Sequence, residues 1–162
     1  MTKSASENLK GLLEVVGVFA ILLGLIFVGF ELRQNTASVQ AATSQGLLEQ
    51  SNHSNFLLAS DSDFAELLST ADVSLKKLSD VERLRYRGYV WAEFNIWEQA
   101  FYAHAGGTLN DRIWHGYDNG YRQFSCEPSP KVIWGEIKYF FGVEFNAHVT
   151  DGYLRECSDT GE

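Results

Sequence analysis

Val15-Val16-Gly17-Val18-Phe19-Ala20-Ile21-Leu22-Leu23-Gly24-Leu25-Ile26-Phe27-Val28-Gly29-Phe30 carries no charge and no strong hydrogen-bonding side chain. Leu12, Leu13 and Leu32 extend the stretch, and Glu14 and Glu31 stand near its ends. As a helix rising 1.5 Å per residue, 12–32 covers roughly 30 Å, the thickness of a bilayer's hydrocarbon core. Two other readings compete. A cleaved signal peptide calls for a small-x-small site after the apolar run, whereas here Glu31-Leu32-Arg33-Gln34-Asn35 follows. A buried helix of a soluble protein shows a polar face at helical spacing, and this stretch is apolar all round. The sequence therefore predicts a tail over 1–11, a membrane helix over 12–32 and a helical domain over 33–162.

Ala20 and Gly24 lie four residues apart on one face of that helix, with Gly17 close by, and small residues so placed let a second helix approach closely. A homo-oligomer formed through Gly17, Ala20 and Gly24 is the partner expectation within the bilayer. Lys3 and Lys10 precede the span and Arg33 alone follows it before Lys76. This imbalance leans toward an inside N-terminus and an exported domain, and it is too small to decide the side.

Outward from the span the chain is acidic. Of 13 Lys/Arg and 21 Asp/Glu in all, 11 and 18 fall after residue 32, a net charge of −7 there. Nucleic acid is excluded as a partner, because neutralising phosphates requires a basic stripe. Anionic lipid surfaces are disfavoured for the same reason. Cys126 and Cys157 are 31 residues apart, without a CxxC pair or a histidine at zinc-finger spacing. One disulfide in an oxidising compartment and two separate thiols both remain open, and separate thiols are the preferred expectation.

Helical signals fill the rest. A helix continues over 36–60 with Gly46 as an interruption, and Asp61 caps a short helix over 64–70. Ser79-Asp80-Val81-Glu82 is a capping box, opening a helix to about Ala105 that stops at Gly106-Gly107. Its stripe Tyr86, Val90, Phe94, Trp97 and Phe101 is spaced as one helical face, marking it as the centre of the core. Asn110 caps a helix over 111–124. Ser129-Pro130 starts another that reaches Phe141, and Gly142 separates off a short helix over 143–149. No run alternates with period two between hairpin turns, so the fold class is all-α, an aromatic-rich helical bundle after the transmembrane helix.

Three places resemble a broad group of uncharacterised bacterial single-pass membrane-anchored helical proteins. They are Glu31-Leu32-Arg33-Gln34-Asn35-Thr36 directly after the span, Glu98-Gln99-Ala100-Phe101-Tyr102 followed by Leu109-Asn110-Asp111-Arg112-Ile113-Trp114, and 134–145. The resemblance implies the helical fold and a bacterial-type inner-membrane location. It implies no activity. It departs after Thr36, where the basic residues usual in that group are missing.

No motif points to catalysis. There is no G-x-S-x-G elbow, no P-loop and no G-x-G-x-x-G. Glu98 is the leading polar candidate, with Asn95 and Tyr102 at helical spacing on its face and Arg112 as a possible ion partner. Such a carboxylate is either an acid/base or ligand anchor, or a structural group satisfied by Arg112, a tyrosine hydroxyl or a helix N-terminus. The structural reading is preferred. A di-iron bundle needs Glu-x-x-His on two helices, and none occurs. The pairs Glu49/His53 and Glu144/His148 have the wrong spacing for it, so no metal or cofactor is expected. His104 and His115 flank the Gly106-Gly107 turn; they either face each other across it or, the preferred reading, are exposed or hydrogen-bonded near a loop. The functional expectation is a domain acting through protein contacts or self-assembly and not an enzyme. The alternative is a small-ligand- or metal-binding enzyme or sensor with an aromatic pocket in the bundle.

Overall fold

The computed structural model describes residues 3–155 and residue 157. It is all-α, with six α-helices and, among the described residues, no strand: α1 Lys3–Ser60, α2 Ser62–Val73, α3 Asp80–Ala105, α4 Asp111–Cys126, α5 Pro128–Ile137 and α6 Val143–Ala147. A 3-10 turn, Leu75–Lys77, precedes α3, another, Lys138–Phe140, follows α5, and a π-helical stretch, His148–Leu154, follows α6.

By contacts the chain forms two compact units, one up to Val39 and one from Gln40 onward. In the first unit the apolar residues from Leu13 to Leu32 all lie exposed, and the helix is long and apolar enough to cross a membrane. The expected tail over 1–11 is helical from Lys3, and its first two residues lie outside the described ones. Gly46 does not interrupt α1, because one glycine costs a helix interior only about 1 kcal/mol.

The second unit is organised around α3. Its N-terminus is held by the reciprocal capping box, with Ser79 Oγ accepting from the Glu82 N–H and the Glu82 carboxylate accepting from the Ser79 N–H. Its C-terminus ends at Gly106, and Gly107 takes φ +72°, a conformation that favours glycine. Tyr86, Val90, Phe94 and Trp97 are buried along the expected stripe, while Phe101 is partly covered. α4 and α5 pack on this face. Phe94 meets Trp134 of α5 with ring centroids 4.5 Å apart, and Trp97 stacks on Tyr121 of α4 at 5.7 Å. Phe145 closes the far side, edge-on to Trp97. Burying Phe94, Trp97, Trp134 and Phe145 supplies about 1.5–3 kcal/mol apiece, and the paired rings add about 0.5–1.5 kcal/mol each.

Both ends of α5 differ from the sequence expectation. α5 starts at Pro128 with Glu127 as N-cap, not at Pro130 with Ser129 as cap. Both prolines fit the first turn, where no backbone N–H is needed, and Ser129 Oγ donates across to the Ala71 carbonyl at 2.6 Å. α5 also ends at Ile137, short of Phe141. The larger correction concerns the cysteines. Cys126, at the end of α4, and Cys157 are joined in a disulfide with Cα atoms 5.6 Å apart, within the usual range for such a bond.

Candidate groove between helices α1, α3 and α4

The residues singled out in the sequence are separated by the fold. Glu98 is half-buried and accepts the Gly142 N–H at 2.7 Å, at the N-cap of α6. Tyr102 lies beside it and donates its hydroxyl to Glu144 at 2.9 Å, a bond that raises the tyrosine pKa. Asn95 is exposed and turned toward α1, beside Gly46 and His53. Arg112 is exposed on α4 and lines a different groove. Glu98 and Tyr102 are thus together, and Asn95 and Arg112 are elsewhere. His104 stacks on Trp114 and reaches Asp111 at 3.0 Å, and His115 is exposed, in keeping with the preferred reading of hydrogen-bonded or exposed histidines.

Two buried carboxylates stand out instead. Asp118 of α4 accepts the Trp97 indole N–H at 3.1 Å, pairs with His148 Nε2 at 2.7 Å and accepts the Tyr153 hydroxyl. Burial pushes its pKa up, and the bonds from His148 and Tyr153 with the charge of His148 more than offset this, leaving it below the ordinary carboxylate range. With three donors converging on it, Asp118 is well satisfied as a carboxylate and ties α4 and α3 to the C-terminal segment. The Cys126–Cys157 bond ties the same two parts together. His148 is thereby turned away from Glu144, which is occupied by Tyr102. Among the described residues no three His, Cys, Asp or Glu side chains gather as a metal site.

Glu93 of α3 is the opposite case. It is 8% exposed, Oε2 accepts the Tyr121 hydroxyl at 3.0 Å, and Oε1 has no hydrogen-bond partner among the described residues. An ionised carboxylate offers about four lone-pair sites, so this one is under-satisfied. Burial first, and then the nearby Glu93 charge, push the Tyr89 and Tyr121 hydroxyls well above the ordinary tyrosine range.

Glu93 forms part of a groove of about 500 Å³, within the range of small-molecule sites. One wall is α1, with Leu48, Ser51 and Leu58, and the other is α4, with Tyr117, Tyr121 and Phe124. The space exists because α4 presents glycine at 116 and 120. A Cβ built at either position would meet nothing within 4 Å. Ser51 Oγ donates to the Tyr117 hydroxyl at 3.3 Å, joining the two walls. Only Leu47 of this part of α1 is buried, and reciprocal amide bonds between Gln50 and Gln99 help hold it to α3.

The sequence did contain a sign of Glu93. It lies three residues after Val90 and four before Trp97, inside the buried stripe. Nothing in the sequence marks Asp118, whose partners lie 21 to 35 positions away. No protein-family model matches the chain, and neither a curated protein nor a solved structure matches it.

Proposed function

We propose that this chain is a membrane-anchored binding domain that works by holding a ligand, not by catalysis. The observation that carries the reading is the groove between α1 and α4, aromatic on one side and containing a buried carboxylate with an unbonded oxygen. Catalysis would call for a nucleophile or a second titrating group beside that carboxylate, and its neighbours are tyrosines pushed out of the working pH range. Ligand-observed NMR of the full chain in nanodiscs against a small-molecule library tests this. Compounds whose signal is lost when Gly116→Leu and Gly120→Leu together fill the groove support the reading. A library that gives the same signals with both chains overturns it.

The anchor is the apolar helix over 12–32, in a bacterial-type inner membrane by the resemblance of the flanking residues. The Cys126–Cys157 disulfide supports placing the domain on the oxidising side, since such bonds persist in exported and not in cytosolic proteins. The two lysines ahead of the span agree with that side.

A second reading, protein contacts, is favoured by the corner after α5. Tyr139, Phe140 and Val143 stand 79%, 69% and 83% exposed within five residues, an apolar patch of the kind found at interaction sites. Within the bilayer, self-association through Gly17, Ala20 and Gly24 stays part of the proposal, since a Cβ at Gly17 or Gly24 would meet open space. A Gly24→Leu chain of unchanged oligomeric state would remove that element.

A further inference from the structure

The groove's polar chemistry is one-sided. Among the described residues, Glu93 is the one carboxylate lining it and Arg112, on α4, the one cationic side chain. Arg112 leaves that carboxylate unpaired, since among the described residues Glu93 Oε1 has no hydrogen-bond partner. A carboxylate 92% removed from solvent with one hydrogen bond is costly, and a donor carrying positive charge offsets this cost best. Tyr89, Tyr117, Tyr121 and Phe124 add rings, which attract cations and cover apolar groups. The terminal torsion of a glutamate is broad, so a small rotation of the carboxylate brings its unbonded oxygen toward the groove without moving the backbone.

We propose that the groove binds a primary or secondary ammonium group on an apolar body, its N–H donated to the Glu93 carboxylate and its body lying between Leu48, Leu58 and the aromatic wall of α4. The proposal rests on the reading of the groove as a ligand site and names the class of ligand. It requires an N–H, so a quaternary ammonium of the same shape, which has charge and no donor, binds less well. A neutral alcohol keeps a donor and loses the charge. An anion of the same shape is rejected.

Calorimetric titration of the full chain in nanodiscs, corrected against empty nanodiscs, separates these outcomes. The probes are 4-phenylbutylammonium, its N,N,N-trimethyl form, 4-phenylbutanol and 5-phenylpentanoate. The expected order puts the primary ammonium about tenfold or more ahead of the alcohol and the trimethyl form, the difference a charge-assisted bond makes. Glu93→Gln should erase that preference while leaving the alcohol within about twofold, because glutamine still accepts from Tyr121. Gly116→Leu with Gly120→Leu should abolish all binding. If ammonium and alcohol bind alike, and only the groove-filled chain loses them, the ammonium class is overturned and the ligand site stands. If no probe binds, or the filled chain binds as well as the parent, both are overturned. Should Glu93→Gln fail to fold, the order of the four probes on the unchanged chain decides.

Discussion

Replacing Asp118 with asparagine tests the packing logic of the domain most severely. The change keeps shape and removes charge. At present two donors, Trp97 Nε1 and His148 Nε2, meet Oδ1, and the Tyr153 hydroxyl meets Oδ2. Asparagine has one acceptor oxygen, so one side of the residue must place an amide NH2 against a donor. The charge-assisted character of the bonds from His148 and Tyr153 is lost, at about 1.5–3 kcal/mol for such a bond, and the Tyr153 hydroxyl must turn round to accept from the amide NH2. The expected loss is about 3 kcal/mol or more, a large part of the 5–15 kcal/mol typical of a domain. For a unit of this size that corresponds to a fall in Tm of about 10–15 °C. The assay is thermal unfolding of the full chain in nanodiscs, followed by far-UV circular dichroism and tryptophan fluorescence. Tyr153→Phe alone should cost about 1–2 kcal/mol, and the double variant should show a coupling of about 1 kcal/mol or more between the two sites. Asp118→Asn melting within about 3 °C of the parent, or strictly additive variants, would refute the view that this carboxylate holds the C-terminal segment.

Three further outcomes follow from the same contacts. Reducing the Cys126–Cys157 bond, which closes a loop spanning 31 residues, should lower stability by about 3–4 kcal/mol in the chain-entropy account; melting with and without reductant checks this, and equal curves would contradict it. Asp118 has a folded pKa below its unfolded value of about 4, so the folded chain binds fewer protons there and stability falls as pH drops below about 4. Melts from pH 7 to pH 3 should show that acid slope reduced in Asp118→Asn, and an unchanged slope would assign it to other carboxylates. Gly116→Ala and Gly120→Ala, in a helix interior with open space at each Cβ, should each raise stability by up to about 1 kcal/mol. A destabilised variant at either position would mean that the α4 wall is closer to α1 than described.

The parts of this molecule legible in its sequence are those fixed by neighbours along the chain. The capping box at Ser79, the four-and-three spacing of Tyr86, Val90, Phe94 and Trp97, and the apolar run over 15–30 each declare a helix within a few residues. Boundaries suffered where local signals compete, as at Pro128 and Pro130, both of which suit a first helical turn. Glu98 sits among aromatics, and its carboxylate accepts the Gly142 N–H at the entry to α6, in keeping with the structural reading preferred from the sequence. Glu93 was the residue to weigh, since it interrupts the buried stripe itself. Asp118 and the cysteine pair were beyond local reading. Their partners come from α3 and from the segment after α6, and only the packing of α4 against both brings them together.

Native mass spectrometry of the full chain, extracted from its own membrane in mild detergent, tests the central claim of a binding groove most directly. The account predicts a reproducible small-molecule adduct on the parent chain that is absent when Gly116→Leu and Gly120→Leu fill the groove. Bare chain masses for both proteins, or the same adduct on both, would contradict it.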